Sequence, residues 1–238
     1  MALLLGSTGC GTKVDKNPSG AQAPDSTTQG KKPTTRVLTQ DQLERAVVNQ
    51  HDLPGLSIDR IGVGTEGVGD GVVKPFSTDG TQPAKCAPVG AVLEGGSGYT
   101  PVGSVMRIAK SREGAATLYL VSYREAQAVR AIEDLRTALR TCTAFTAGPM
   151  KAAYTEVRTT DDPSQGDDGL SFRLTQLMEG PGEDDPLKVP ETLIAIRSGS
   201  AIAVFTAVPD GTHTVPKLPT DLVNAQSKAL SAATRTTS

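Results

Sequence analysis

Residues 117–142 read TLYLVSYREAQAVRAIEDLRTALRTC, and this stretch decides the fold. Its first part carries apolar side chains at Leu118, Leu120 and Val121, which predicts a strand. Its second part, from about residue 124 to residue 142, has apolar residues at steps of three and four, which predicts a helix with one buried stripe. The stripe consists of Ala128, Ala131, Ile132, Leu135, Ala138, Leu139 and Cys142. We therefore expect a helix packed on a sheet, with Cys142 on the buried face of the last helical turn.

The upstream segments predict a short first helix, strands and a hairpin. In chain order they are a helix with a capping box at Thr39 and Gln42, a strand at Leu56, Ile58 and Ile61, a Gly-rich loop from Gly62 to about Gly80, a helical turn from Cys86 to Leu93, and a strand at Val102, Val105 and Ile108. A hairpin turn at residues 111–114 joins this last strand to the strand at 118–121.

The downstream segments predict further strands and a final helix. The strands are Tyr154–Arg158, Leu170–Met178, Leu193–Ile196 and Ala201–Val208, and the helix begins at Thr220 and Asp221. Strands that follow a hairpin and a central helix predict an α+β fold, with a mainly antiparallel central sheet and helices packed on a face of it. We expect residues 37–238 to form this single domain.

Composition excludes several classes of function. The 238 residues carry 24 Lys and Arg against 26 Asp and Glu, a formal net charge of -2, which gives no electrostatic basis for binding nucleic acid. Aromatic residues make up 3% and Trp is absent, which argues against stacking platforms for single strands or sugars. No run of about 18 apolar residues occurs, so we expect any membrane attachment to be covalent or peripheral.

The first ten residues, MALLLGSTGC, resemble the end of a bacterial lipoprotein signal. In such signals a peptidase cuts before the cysteine, and a diacylglycerol is attached to its sulfur. Ser7 stands where leucine is usual and the positively charged start is missing, so we interpret residues 1–10 as a truncated signal. We therefore expect Cys10 to carry a lipid that anchors the chain to the extracytoplasmic face of the membrane. The alternative is that Cys10 is an incidental thiol in a disordered tail.

Residues 11–36 predict a disordered tether. They consist mainly of Thr, Lys, Ser, Pro, Gly, Gln and Asn, which bury too little apolar surface to become ordered. A flexible chain of this length has a root-mean-square reach of about 30 Å. Such a tether would hold the domain clear of a membrane and leave it free to rotate.

Cys86 and Cys142 predict a disulfide, because they are the two cysteines left once Cys10 is lipidated. Cysteines of exported proteins usually pair. Closing this loop stabilises a fold by roughly 4 kcal/mol in the chain-entropy model. The alternative, a redox role, needs a short spacing such as CxxC or a thiol beside a positive charge.

No catalytic or metal motif has the context that its chemistry needs. Gly62, Gly64 and Gly67 spell GxGxxG, but two more glycines follow without a helical period, which favours a loop over a nucleotide site. His51 and His213 each lack a nearby second ligand for zinc. The acidic clusters lack the spacing of a calcium loop and predict solvated loops, and they are Asp161, Asp162, Asp167 and Asp168, and Glu183, Asp184 and Asp185. GxSxG, SxxK and HExxH are absent, so we predict no enzyme, cofactor or metal.

The order of segments resembles the extracellular sensor domains of PknH-type actinobacterial Ser/Thr kinases and the related free-standing lipoproteins. The resemblance covers roughly residues 38–235 and rests on the segments LPG, Cys-x-Pro, GYTPV, TLYLVSY, EAQAVRAIEDLRTALRTC and ETLIAIRSGSAIAVF, followed by an Ala-rich helix. It implies an α+β domain with a central antiparallel sheet and a broad cleft that receives a ligand.

Two functions follow from this resemblance and from the predicted anchor. The first is a ligand-binding or sensing lipoprotein whose cleft captures a small envelope component or a partner protein. The second is a structural protein of an envelope complex with no small ligand. An open pocket lined by Tyr99, Tyr119, Tyr123 or Arg173 favours the first, and a flat exposed apolar patch favours the second. The binding residues themselves stay unassigned at this stage.

Overall fold

Residues 35–60, 80–111, 114–148, 150–179, 185–209 and 214–235 are described by the structure, a computed structural model. Several features predicted above lie outside these residues. They are Cys10, residues 11–34 of the tether, the Gly62 to Gly67 motif, His213, Glu183 and Asp184.

The described residues form one antiparallel sheet of eight strands in the order β1-β2-β3-β8-β7-β6-β5-β4. The strands are β1 (Ser57–Arg60), β2 (Gly103–Ser111), β3 (Gly114–Ser122), β4 (Phe145–Ala147), β5 (Ala152–Thr159), β6 (Asp168–Met178), β7 (Leu187–Ser198) and β8 (Ala201–Val208). The helices are α1 (Gln40–Ala46), α2 (Ala87–Leu93), α3 (Glu125–Leu139) and α4 (Thr220–Thr234). The predicted α+β class with a mainly antiparallel sheet is confirmed.

Helices cover both faces of the sheet, whereas the sequence predicted helices on one face only. Helices α2 and α3 pack on one face, against Ile202 and Val204 of β8. Helices α1 and α4 pack on the other, against Ala203 and Phe205 of the same strand. Successive side chains of a strand point to opposite faces, so a strand covered on both sides is apolar at every position. The apolar run of β8 from Ala201 to Phe205 follows from this arrangement.

Helix α3 buries the predicted stripe, but it is shorter than predicted. It ends at Leu139, and Cys142 lies in the turn that follows, where its N–H donates to the carbonyl of Ala138 at 2.8 Å. Cys142 is still fully buried and is joined to Cys86 by a disulfide. Because Cys86 immediately precedes α2, the disulfide ties the start of α2 to the end of α3.

On the opposite face, one buried glutamine joins the first and last helices. The capping box of Thr39 and Gln42 is present at the start of α1, as the sequence predicted. The side chain of Gln226, on α4, donates to the carbonyl of Ala46 at 3.0 Å and accepts from the N–H of Val48 at 2.9 Å. Gln226 therefore satisfies the backbone at the end of α1, which no local residue does.

Strand β4 was not predicted, because three residues are too few to show a period. Its Phe145 ring stacks on Tyr154 of β5, with the ring centroids 4.9 Å apart. Beyond this pair a bulge in β5 interrupts the pairing with β6 between Thr155 and Arg158. The bulge turns Val157 into the core on the α2 and α3 face.

Candidate functional site

A cavity of about 250 Å³ lies between the sheet, α2, α3 and the loop at residues 95–99. We call it the apolar cavity. Its floor consists of Val121, Ala195, Ile202 and Val204, and its helical walls consist of Ala87, Pro88, Val92, Ala131, Ile132 and Leu135. The floor residues belong to the adjacent strands β3, β8 and β7, on the face that α3 covers.

The apolar cavity exists because small residues stand where helix and sheet face each other. Ala131 on α3 and Ala195 on β7 are both almost fully buried and both line it. Protein interiors are otherwise packed nearly as densely as organic crystals, so empty space of this size needs small side chains on its walls. The disulfide fixes this spacing, since it holds α2 and α3 together at one end.

The third wall is the loop Gly95, Gly96, Ser97 and Gly98, and its backbone lies against the ring of Tyr119. Gly95 has φ +72°, and a Cβ added there would lie 2.2 Å from Cγ of Tyr119. Only glycine allows both this conformation and this approach. The loop is thereby seated on β3 at the edge of the apolar cavity.

At the mouth of the apolar cavity, a hydrogen bond ties the loop to α3. The hydroxyl of Tyr99 donates to Oδ2 of Asp134 at 2.7 Å. This bond to a carboxylate favours the neutral phenol and so raises the pKa of Tyr99. Asp134 is exposed to solvent, and the charged groups of Arg130 and Glu133 also lie near the Tyr99 hydroxyl.

Tyr123 supplies a polar group inside the apolar cavity. Its side chain is 1% exposed, and the side chain of Ser97 lies close enough to its hydroxyl to oppose part of the effect of burial on its pKa. Burial raises the pKa of Tyr123 to about 12, so its phenol stays protonated at neutral pH. A ligand in the cavity would meet apolar walls with a hydroxyl pair on one side.

Further along the same face of the sheet lies a second group of polar residues. It consists of Glu94, Glu191, Tyr119 and Tyr154, and we call it the carboxyl-tyrosine cluster. Glu191 belongs to β7 and alternates with Leu193 and Ala195, which puts its side chain on the α3 side. It is 6% exposed, and burial raises its pKa to about 7.

The pKa values of both tyrosines of the carboxyl-tyrosine cluster are raised by burial and by the nearby carboxyl groups. Burial and then the nearby Glu191 and Glu94 raise the pKa of Tyr154 to about 12. Burial and then Glu94 raise the pKa of Tyr119. Glu94 follows the last residue of α2, and burial raises its pKa as well. All four groups therefore favour their neutral forms.

The four residues expected to line an open pocket lie in different places in the structure. Tyr99 and Tyr123 line the apolar cavity. Tyr119 lies beneath Gly95 and belongs to the carboxyl-tyrosine cluster. Arg173 is exposed on the opposite face of β6, since its neighbours Phe172 and Leu174 point into the α3 side. Arg173 therefore takes no part in either site.

The acidic residues of the 161–168 segment divide into two kinds. Asp161 and Asp162 are exposed, as a solvated loop predicts. Asp168 pairs with Arg136 of α3 at 2.6 Å, and Asp167 pairs with Arg197 at 3.3 Å and accepts from the N–H of Gly199 at 2.6 Å. These last two carboxylates hold the loop before β6 to its neighbours, which the sequence did not indicate. Among the described residues, no group of three or more His, Cys, Asp or Glu could hold a metal.

Sequence reasoning missed three features of these sites. Asp134 lies outside the apolar stripe of α3, so the helical pattern gives it no role, and its partner Tyr99 is 35 residues away in the chain. The run Gly95, Gly96, Ser97 and Gly98 was a usable signal, because clustered glycines mark a close approach of backbone to another group. Glu191 was also detectable, since it stands in phase with buried Leu193 and Ala195.

The fold is similar to two solved mycobacterial structures. The extracellular domain of PknH from Mycobacterium tuberculosis has a TM-score of 0.50 and 10% sequence identity, over 83% of this chain and 97% of that chain. An uncharacterised protein of Mycobacterium smegmatis, the Rv0999 ortholog, has a TM-score of 0.40 and 14% identity, over 84% of this chain and 96% of that chain. No protein-family model and no curated protein match the sequence. Likeness at 10% identity shows the fold alone, and the described chain has a fold like that of the PknH extracellular domain.

Proposed function

We propose that this chain is a non-catalytic, ligand-binding domain of a lipoprotein on the extracytoplasmic face of the cell membrane, and that its apolar cavity binds a small, largely apolar molecule. The observation that carries the ligand is the cavity itself. At about 250 Å³ it is close to the lower end of the size range of ligand sites in proteins. Its apolar walls and few polar groups match the usual composition of such sites.

The polar groups of the apolar cavity support binding rather than catalysis. The hydroxyl of Tyr99 donates to Asp134, and the hydroxyl of Tyr123 lies beside the side chain of Ser97. A nucleophile needs an adjacent base to activate it. The pKa of each tyrosine is raised, which is the wrong direction for a nucleophile or a base at neutral pH. These groups are suited to orienting the polar end of a ligand.

Membrane anchoring rests on Cys10 and on the tether behind it. The resemblance of MALLLGSTGC to a lipoprotein signal supports the lipid, and the disulfide supports an oxidising compartment. No helix in the described part of the chain is long and apolar enough to cross a membrane.

The second function, a structural role without a small ligand, has less support in the described residues. It predicts a flat apolar patch, but the exposed large apolar side chains lie on different elements. Met178 and Leu187 are paired across β6 and β7, and this pair covers two residues.

A cavity-filling substitution tests the proposed ligand site. The probe is N-phenyl-1-naphthylamine, a neutral aromatic molecule whose fluorescence rises in apolar surroundings. We expect saturable binding to the wild-type chain. Ala131→Leu adds three carbons to the wall of the apolar cavity without lowering the helix propensity of α3 much, and we expect it to weaken binding at least tenfold.

Ala126→Leu is the matched control, since it makes the same change on the exposed side of the same helix. We expect it to bind the probe like wild type. No saturable binding to wild type, or equal binding to wild type and Ala131→Leu, would show that the apolar cavity is not a ligand site.

Mass spectrometry of the chain isolated from its own cell envelope tests the anchor separately. We expect the N-terminal peptide to begin at Cys10 and to carry the mass of a diacylglyceryl group. An unmodified Cys10 within a longer N-terminal peptide contradicts the anchor and leaves the ligand site untouched.

A further inference from the structure

We propose that the ligand of the apolar cavity carries an ammonium group, which binds Asp134 at the mouth while an apolar chain fills the interior. This inference rests on the ligand site proposed above and names the class of molecule that the site takes. It predicts a preference for alkylammonium ions over alcohols and carboxylates with the same chain. Apolar walls alone would not give this preference, because they do not distinguish one charged head from another.

Asp134 is the one charged side chain among the described residues that line the apolar cavity. It belongs to α3 and follows Ala131 by three residues, a spacing that makes two residues neighbours on a helix surface. Ala131 and Leu135, on either side of Asp134 in the chain, both line the interior. Asp134 itself is exposed. Its carboxylate therefore lies at the rim, where the buried chain of a ligand would end and its head would meet solvent.

The carboxylate of Asp134 has hydrogen-bonding capacity left for a ligand. Its Oδ2 accepts one bond from the hydroxyl of Tyr99 at 2.7 Å, and no other group in the described part of the chain donates to it. An ionised carboxylate has about four acceptor positions. A bond from an ammonium N–H to a carboxylate is charge-assisted and stronger than a bond between neutral groups. An ammonium head can therefore bind Asp134 while Tyr99 stays in place.

The charges around the mouth also favour a cation. The pKa of Tyr99 is raised chiefly by its bond to Asp134, and it is also lowered by Arg130 and raised by Glu133, which puts both of these side chains near the mouth. Two carboxylates there stand against one guanidinium. Arg130 precedes Asp134 by four residues, yet the two form no ion pair among those of the described residues. The mouth therefore keeps a net negative charge.

Other head groups match this mouth less well. A carboxylate head would lie beside Asp134 as a like charge and be repelled. An alcohol head donates one neutral hydrogen bond and gains no attraction between charges. A calcium ion takes several oxygen ligands, and the described residues contain no group of three or more side chains that could hold a metal.

Displacement of N-phenyl-1-naphthylamine from the wild-type chain at pH 7 tests the head group. The competitors are n-hexylammonium chloride, n-hexanol and sodium n-hexanoate, which share one chain and differ only in their heads. We expect hexylammonium to displace the probe at a concentration about fivefold below that of hexanol, the upper range for an exposed ion pair. Hexanoate should require the highest concentration. Added salt should reduce the difference between hexylammonium and hexanol, because it screens the charges.

Asp134→Asn removes the charge and keeps an oxygen that accepts from Tyr99. We expect hexylammonium and hexanol to displace the probe equally from this variant, a loss of about fivefold in preference, while hexanol acts as on wild type. Asp221→Asn is the matched control, because it removes the same charge from an exposed residue of α4, on the opposite face of the sheet. It should keep the preference of wild type. Arg130→Gln removes the cation near the mouth and should increase the preference.

Three results would overturn the ammonium head and leave the apolar cavity as a ligand site. They are equal displacement of the probe from wild type by hexylammonium and hexanol, stronger displacement by hexanoate, and an unchanged preference in Asp134→Asn. An equal loss of preference in Asp221→Asn would also overturn it, because the net charge of the chain and not Asp134 would then be responsible. Absence of naphthylamine binding to wild type instead overturns the ligand site itself, and the ammonium head with it.

Discussion

Replacing Cys86 and Cys142 together by alanine removes the covalent link between the start of α2 and the end of α3. These helices form two walls of the apolar cavity. The substitution therefore tests the stability of the fold and the role of the disulfide in holding the cavity open. Both cysteines are fully buried, so alanine is the smallest apolar replacement that leaves no unpaired thiol.

The expected loss of stability follows from the length of the closed loop. The cysteines are 56 residues apart, and in the chain-entropy model cross-linking such a loop lowers the entropy of the unfolded chain by about 14 cal/mol/K. At 298 K this corresponds to about 4 kcal/mol. For a domain of this size, 1 kcal/mol shifts the Tm by about 2–4 °C, so we expect a decrease of roughly 8–16 °C.

Urea unfolding in non-reducing buffer measures the free energy of unfolding of the wild type and the double variant, and thermal unfolding measures the Tm. Cys10→Ala is the control, since it removes a cysteine that lies outside residues 35–235. We also expect weaker binding of N-phenyl-1-naphthylamine, because α2 is no longer tied to α3. A loss below about 1 kcal/mol, with unchanged probe affinity, would refute the reasoning.

Three further predictions concern single residues. The pKa of Glu191 is raised to about 7 by burial, so its contribution to stability is complete below about pH 4.5, the ordinary value, and is lost as pH rises through 7. Urea unfolding at several pH values should show that the free energy of unfolding of wild type falls by up to about 3 kcal/mol more than that of Glu191→Gln between about pH 4.5 and pH 7. Parallel pH profiles of the two proteins would contradict the raised pKa of Glu191. Gly95→Ala should cost about 1–3 kcal/mol and weaken naphthylamine binding, because its Cβ would meet the ring of Tyr119; an unchanged melting curve would contradict the close approach. Lys151→Gly should raise the free energy of unfolding by about 1 kcal/mol, because Lys151 has φ +52°, whereas a decrease would mean that the lysine side chain stabilises the turn.

The elements that the sequence predicted correctly are those whose signals are local. The stripe of α3 needs only the 3.6-residue period, and the hairpin of β2 and β3 needs only alternation and a turn at residues 111–114. The capping box of Thr39 and Gln42 is likewise complete within four residues. Such patterns depend on neighbours in the chain, so they are readable without knowledge of the fold.

The elements that were missed depend on partners far away in the chain. Strand β4 is three residues long and exists because it pairs with β5. The second layer of helices was not predicted either, since the apolar stripe of a helix does not show which face of the sheet that helix covers. The end of α3 at Leu139 was placed too late, because Cys142 continues the apolar period beyond the helix.

The two candidate sites show the same division. An open pocket was expected to be lined by Tyr99, Tyr119, Tyr123 or Arg173, and Tyr99 and Tyr123 line the apolar cavity. Arg173 lies on the other face of the sheet, because side chains alternate along a strand and its neighbours Phe172 and Leu174 are buried on the α3 side. Glu191 was passed over, although its spacing from Leu193 and Ala195 places it on the same face of β7 as those buried residues.

By itself, the sequence determined the central helix, the hairpin and the α+β class, because periodicity and turn residues are local patterns. It also determined the pair Cys86 and Cys142, because they are the two cysteines left for a disulfide. Only the tertiary structure decided where a cavity forms and which ionisable groups are buried together. The apolar cavity arises from small residues on α3 and β7 that face each other, and the carboxyl-tyrosine cluster arises from four elements that meet on one face. Volume and dielectric environment are properties of that packing, and a linear chain does not yet possess them.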